Sequence, residues 1–175
     1  TSGKMLVFDL ETDGLLNDVT QIHCLVIYDS ETDTTCVYND QGSQEPISRG
    51  VQRLEDADVI VGHNVIGYDI PVIQKIYPWF DPKAFVLDTL LLSRLYHTDI
   101  MGIDKEQNFA YMPSQLWGRH SLEAYGYRLG EYKGEFGKTT DWQEWSPEME
   151  TYCCQDVKVT TKLCDHFHKY LSGYG

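Results

Sequence analysis

Three short stretches carry oxygen-bearing side chains at spacings that suit a shared site: Asp9-Leu10-Glu11, Asn64 to Asp69, and Tyr152 to Asp156. Side chains alternate across a strand, so Asp9 and Glu11, following the apolar run Met5-Leu6-Val7-Phe8, project from one face of a strand end. A helix returns to the same face nearly every fourth residue, which sets the Tyr152 phenol one turn before the Asp156 carboxylate. The middle stretch follows the short apolar run Val59-Ile60-Val61 and Gly62, and Asp69 opens the next helix. Hard oxygen ligands select Mg²⁺ or Mn²⁺. Hydrolysing a phosphodiester at neutral pH needs a deprotonated water, a neutralised phosphate and a stabilised leaving alkoxide, and two divalent ions roughly 4 Å apart supply all three. Phosphodiester cleavage is therefore the chemistry these stretches suit if they converge.

Positioning them calls for a sheet and its covering helices. Lys4 to Leu10, Thr20 to Tyr28 and Thr34 to Tyr38 read as strands, with turn signals at Asp13-Gly14 and in Asp29 to Asp33, the pattern of an antiparallel meander. The chain then alternates. Pro46 to Asp56 reads as a helix, Val59 to Val61 as a strand, Asp69 to Ile76 as a helix, Phe85 to Leu87 as a strand and Asp88 to Tyr96 as a helix. A helix over Leu122 to Arg128 is capped by Ser121, and a long terminal helix opens at Ser146-Pro147-Glu148 and runs to about Leu171. The expected fold class is α/β, a mixed sheet with helices on its faces. The stretches from Thr98 to Gly118 and from Gly130 to Trp145 read as long loops.

Composition sets outer limits. A chain of 175 residues forms one domain with one core. It contains no apolar run near the ~20 residues of a membrane span and no leader pattern, so a soluble cytosolic protein is expected. The five cysteines show no C-x-x-C spacing and read as buried free thiols; the scattered histidines argue against a zinc site. A formal charge of −13 opposes nucleic-acid binding, which rests mainly on Lys and Arg. Carboxylates holding two divalent cations would invert that charge locally.

The three stretches, in this order, resemble the DEDD superfamily of 3′→5′ exonucleases. Asp9-Leu-Glu11-Thr12-Asp13-Gly14-Leu15 matches its first motif, and Asn64 before Tyr68-Asp69 its second. Tyr152-Cys-Cys-Gln-Asp156, with Thr151 rather than His five before the Asp, resembles the tyrosine branch. That branch includes the proofreading domains of family A DNA polymerases. Gln21 to Asp29, Asp88 to His97 and His120 to Gly130 resemble the corresponding stretches of replicative polymerases of short-tailed, coliphage-like bacteriophages. Similarity is weakest from Asn39 to Ser48 and from Asp99 to Gly118.

The resemblance implies a ribonuclease H-like fold and a metal-dependent 3′→5′ exodeoxyribonuclease using two divalent cations, Mg²⁺ or Mn²⁺. It implies metal ligation by Asp9, Glu11, Asp69 and Asp156, with Asp9 bridging both ions, and an attacking water oriented by Tyr152. It further implies that Thr12 meets the terminal 3′-hydroxyl, Leu15 wedges against the last bases, and Asn64 and Tyr68 flank a single-stranded or frayed DNA 3′ end. The polymerase partner would lie in a longer protein, since residues 1–175 hold no polymerase domain, and Thr1 to Lys4 precede the point where the resembling polymerases begin. A monomer in the cytoplasm of an infected bacterial host is expected.

Several residues also have plainer readings. Leu15 could plug the core after the Asp13-Gly14 turn, and Tyr68 could cap a hydrophobic cluster. His63 reads as a structural histidine outside the metal shell. Tyr111, Trp117, Tyr125, Tyr127, Tyr132, Trp142 and Trp145 invite a base-stacking reading, but most of them read as residues that pack the domain or face a neighbouring polymerase domain; Arg94, Lys105, Arg119, Lys133 and Lys138 could line a strand path but read as solvated surface. Two other function classes stay open: an exoribonuclease or oligonucleotide-degrading enzyme on this fold, and a catalytically idle DNA-binding or bracing domain.

Overall fold

Alternating apolar side chains along β1 (Met5–Thr12) and β2 (Ile22–Asp29) supply two buried faces rather than one. On one face Leu6, Phe8, Leu10, Leu25 and Ile27 pack against α1 (Ile47–Asp56) and α2 (Ile70–Ile76). On the other, Val7, Cys24 and Val26 lie under Met149, Cys153 and Val157 of α6 (Pro147–Ser172). Covering both faces explains the near-continuous apolar runs in these strands. The computed structural model describes residues 4–131 and 141–172. Tyr132, Lys133, Lys138 and part of the Gly130 to Trp145 stretch lie outside the described residues.

With β3 (Thr34–Asn39), β4 (Val59–Gly62) and β5 (Phe85–Asp88) the sheet has the order β3-β2-β1-β4-β5. β1, β2 and β3 form the expected antiparallel meander, and β4 pairs parallel with both β1 and β5. α3 (Thr89–Tyr96) follows β5, and α5 (Leu122–Arg128) begins at Ser121, whose hydroxyl accepts the Ala124 amide at 3.2 Å. The second half of α6 turns Val159, Leu163 and Phe167 toward Ile100 and Tyr125, giving a smaller core beside the sheet. No helix among the described residues is long and apolar enough to cross a membrane.

One stretch differs from expectation. Within Thr98 to Gly118 the chain forms α4 (Ile100–Gln107) and a short 3₁₀ turn, Ser114–Leu116. Local signals for α4 are weak: Asp99 caps no amide, and the helix carries Gly102 before closing on left-handed Asn108. Its anchor is distant in sequence. Fully buried Asp104 accepts Arg128 Nε at 2.8 Å and Nη2 at 2.7 Å, together with the Gly118 amide at 2.8 Å. Burial alone would push the Asp104 carboxyl up, but the Arg128 hydrogen bonds, the Gly118 amide and the Arg128 charge bring it below its ordinary value.

The stability this pair contributes is present above the ordinary carboxylate range and is lost as pH falls through the depressed pKa. Arg128→Met strands a buried carboxylate and should cost about 3–5 kcal/mol in urea unfolding near neutral pH. A loss below about 1 kcal/mol would contradict the anchoring role.

Candidate active site

β1, β4 and β5 run parallel, so their carboxyl ends emerge at one edge of the sheet. β1 is also where the neighbours change from antiparallel to parallel, a position that opens a crevice beyond the strand ends. Asp9 and Glu11 occupy the end of β1, just before a register irregularity between Glu11 and Thr12. Their alternation with Leu10 puts them on the face covered by α6, which carries Tyr152, Cys153 and Asp156 across the strand.

The Asn64 to Asp69 stretch leaves β4 through a constrained turn. A Cβ on Gly62 would lie 2.0 Å from Val65 Cγ1, so only glycine lets Val65 fold back there. Asn64 is left-handed, with φ 63°, and Val65–Asp69 forms one π-helical turn before α2. Asp88, at the end of β5, holds this turn by accepting the amides of Asn64 at 2.8 Å and Ile66 at 3.0 Å while also capping α3 through Leu90 at 3.0 Å. The expected helix start at Asp69 is thus displaced by one residue, and the π turn aims the Asp69 side chain inward.

These elements bring the carboxylates together. Burial pushes the Asp9 carboxyl well above its usual range, and Asp156, Glu11 and Asp69 push it further. Asp69, 3% exposed, is likewise raised by burial and by Asp88 and Asp156, against the opposing pull of the Asp69 and Leu10 amides. Asp69 Oδ2 is buried and has no hydrogen-bond partner among the described residues. A cluster of hard oxygen donors with a buried acceptor left over fits a divalent cation.

A cleft of about 310 Å³ adjoins the cluster, lined by Glu11, Thr12, Gly14, Leu15, Tyr68 and Trp142 among others. Leu15 is 75% exposed, whereas Val19, 2% exposed, fills the core beneath the loop. The core-plug reading of Leu15 is therefore wrong, and the plug is Val19. The loop is fixed by Asp13, which accepts the Thr20 amide at 2.9 Å, and by Lys75 Nζ, which donates to the Leu16 carbonyl at 3.0 Å. Tyr68 packs on the core below while its hydroxyl donates to the Gly14 carbonyl and meets the Thr12 hydroxyl.

Three contributors take roles at the site that the sequence reading did not assign to them, Trp142 having been read as a packing residue. Trp142 lines the cleft and meets the Tyr152 ring edge-on at 6.1 Å between centroids, with its carbonyl 2.8 Å from His23 Nε2. No local signal marks it, because its partners lie far along the chain. Asp88 was readable as a cap but not as the anchor of the turn. Cys153 is fully buried, its thiol donating to the Asp9 carbonyl at 3.4 Å and approaching Asp9 Oδ2 at 3.7 Å. Burial raises this thiol well above its ordinary value, with Cys24 and Asp9 adding to the shift. His63 lies between the Thr89 hydroxyl and the His120 carbonyl, both at 2.8 Å, as a structural histidine. Tyr111, 95% exposed, does not pack the domain.

Because Asp9 is raised, the metal-free protein loses stability as pH climbs from the ordinary carboxylate range through the raised pKa. Asp9→Asn should raise the metal-free Tm at neutral pH by at least ~2 °C, roughly one kcal/mol for a chain of this size, and should shrink the gain that Mn²⁺ gives the wild type. A lower Tm for the metal-free variant would contradict the electrostatic account.

Residues 6–168 match the RNase_H superfamily, as RNase_H_2. The chain is similar to the DNA-directed DNA polymerases of Escherichia phage T7 and Enterobacteria phage T3, 32% identical to each over 183 residues. The match covers 92% of this chain and 26% of each polymerase, so the chain spans about a quarter of these relatives. Among solved structures, Brucella melitensis NrnC superposes with a TM-score of 0.65 at 18% identity, covering 98% of this chain and 75% of that one, and has also been solved with Mg²⁺ and with pGG. This likeness concerns the fold. With its mixed five-stranded sheet under helices and a match along nearly its whole length, the chain belongs to the RNase_H superfamily.

Proposed function

We propose that the chain is a metal-dependent 3′→5′ exonuclease of the tyrosine branch, releasing nucleoside monophosphates from DNA 3′ ends. The observation that carries this reading is the crowding of Asp9 by Asp156, Glu11 and Asp69 beside a cleft with an apolar rim. Asp9, Glu11, Asp69 and Asp156 would hold two cations, Mg²⁺ or Mn²⁺, which when bound neutralise the phosphate and activate water. Tyr152 sits one helical turn before Asp156, and its hydroxyl orients the attacking water; with a pKa near 10 an unperturbed phenol is a poor base. Leu15 and Trp142 grip the last bases by wedging and stacking without reading sequence, while Tyr68 and Thr12 border the terminal sugar and Asn64 the strand.

The net charge of −13 predicts weak DNA affinity for this chain alone. That suits the proofreading part of a phage family A polymerase, in which a linked polymerase domain delivers the frayed end, working as a monomer in the infected host cytoplasm. The relation to two phage polymerases favours DNA. The fold likeness to NrnC, solved with pGG, keeps short oligoribonucleotides as the second reading.

A 5′-labelled single strand incubated with Mg²⁺, with Mn²⁺ or with chelator should give a descending ladder that needs metal. Asp9→Ala with Glu11→Ala should lower the rate at least ~10³-fold, and Tyr152→Phe only about 10–100-fold. Trp142→Ala should raise KM more than it lowers kcat. No ladder from folded wild type at low salt and high enzyme would contradict the reading, and a ladder from RNA alone would move the second reading to first.

A further inference from the structure

The ladder between β1 and β2 breaks beside the carboxylates. Glu11 faces Cys24 and Thr12 faces Ile22, so His23 is an extra residue with no opposite number on β1. Such a bulge re-aims side chains, and its effect is visible in the packing. Ile22 joins the core of Leu25 and Ile27 under α1 and α2, whereas Cys24 joins Val26 under α6, although residues two apart on a regular strand share a face. In a regular strand His23 would lie with Leu25; instead its ring reaches the α6 side, where Trp142 packs.

We infer that His23 is a positioning residue, which holds Trp142 in place as the aromatic wall of the cleft. His23 is 3% exposed, and its Nε2 lies 2.8 Å from the Trp142 carbonyl. A carbonyl only accepts, so the hydrogen sits on Nε2 and the imidazole donates. Two further ties fix the residues that follow. Gln143 Nε2 donates to the Asp13 carbonyl at 3.2 Å, joining the segment to the turn before Leu15, and Trp145 Nε1 donates to Glu150 Oε2 at 2.9 Å, joining it to α6. Of these three bonds, the one from His23 falls on Trp142 itself.

His23 is not among the side chains that line the cleft, so it acts through Trp142. The indole in turn meets the Tyr152 ring edge-on, so a displaced Trp142 loosens the grip on the bases first and the phenol second. A residue that only stabilised the domain would lower the active fraction, and with it kcat, while leaving KM unchanged; loss of positioning raises KM. What the wall grips rests on the exonuclease reading, whereas the placing of the wall by His23 does not.

The test pairs a spectrum with kinetics. In the full chain labelled with 5-fluorotryptophan, fluorine NMR gives a resonance for each of the four tryptophans, and Trp142→Phe assigns one of them. His23→Leu should shift or broaden the Trp142 resonance while those of Trp79 and Trp117 stay in place, and His23→Gln, which keeps an N–H donor, should restore it. On a 5′-labelled single strand with Mn²⁺, His23→Leu should lower kcat/KM about 10-fold, chiefly by raising KM, and His23→Gln only about 2-fold. In a Trp142→Ala background the same His23→Leu change should cost less than about 2-fold. Circular dichroism confirms that each variant is folded; should His23→Leu not fold, His23→Asn, whose amide is too short to reach the carbonyl, takes its place. An unmoved Trp142 resonance in the folded variant, or an equal kinetic loss with and without Trp142, overturns the inference. A wild type without nuclease activity overturns the functional reading instead, and the resonance then decides the positioning alone.

Discussion

The structure is organised around a repulsion. Asp9 is brought to the end of the central strand, partly withdrawn from solvent, and placed within electrostatic reach of Asp156, Glu11 and Asp69. Like charges in a partly desolvated crevice oppose folding. What holds them together is apolar: the two buried faces of β1 and β2, with α6 clamped across one and α1 and α2 across the other. The packing free energy of the domain is in part used to assemble a carboxylate cluster whose repulsion a cation, or a proton on Asp9, would relieve.

The surroundings reduce the strain without cancelling it. The Leu10 amide draws the Asp69 pKa down, and Asp88 satisfies the amides of the turn that carries Asp69 while adding a further negative charge nearby. Tyr68 and Thr12 tie their hydroxyls to each other and to Gly14, which leaves Leu15 displayed at the cleft with its loop held by Asp13 and Lys75. The ion pair between Asp104 and Arg128 acts farther away, fixing the helices against which the second half of α6 packs. Each device is electrostatic or hydrogen-bonded, and each sits on a scaffold set by hydrophobic alternation.

That alternation is why so much was legible in the sequence. The meander, the helix-strand alternation after it, the shared face of Asp9 and Glu11, the Ser121 cap and the long terminal helix all follow from local periodicity and capping. Features resting on distant partners were hidden. α4 depends on Arg128, whose partner Asp104 lies 24 residues away, and the π turn at Val65–Asp69 depends on Asp88. The choice between Leu15 and Val19 as core plug could not be made from adjacent apolar residues, because only the closed loop decides which points inward. Trp142 entered the cleft through contacts with Tyr152 and His23 that no local pattern announces.

The central proposal is that the four carboxylates together hold two divalent cations beside the cleft lined by Glu11, Leu15 and Trp142. Electron paramagnetic resonance can count free Mn²⁺ during a titration of the chain in the presence of a deoxynucleoside monophosphate. The account predicts two Mn²⁺ bound per chain in the wild type and loss of that stoichiometry in Asp9→Asn. Fewer than one Mn²⁺ bound by the folded wild type at saturating nucleotide, or an unchanged count in Asp9→Asn, would contradict it.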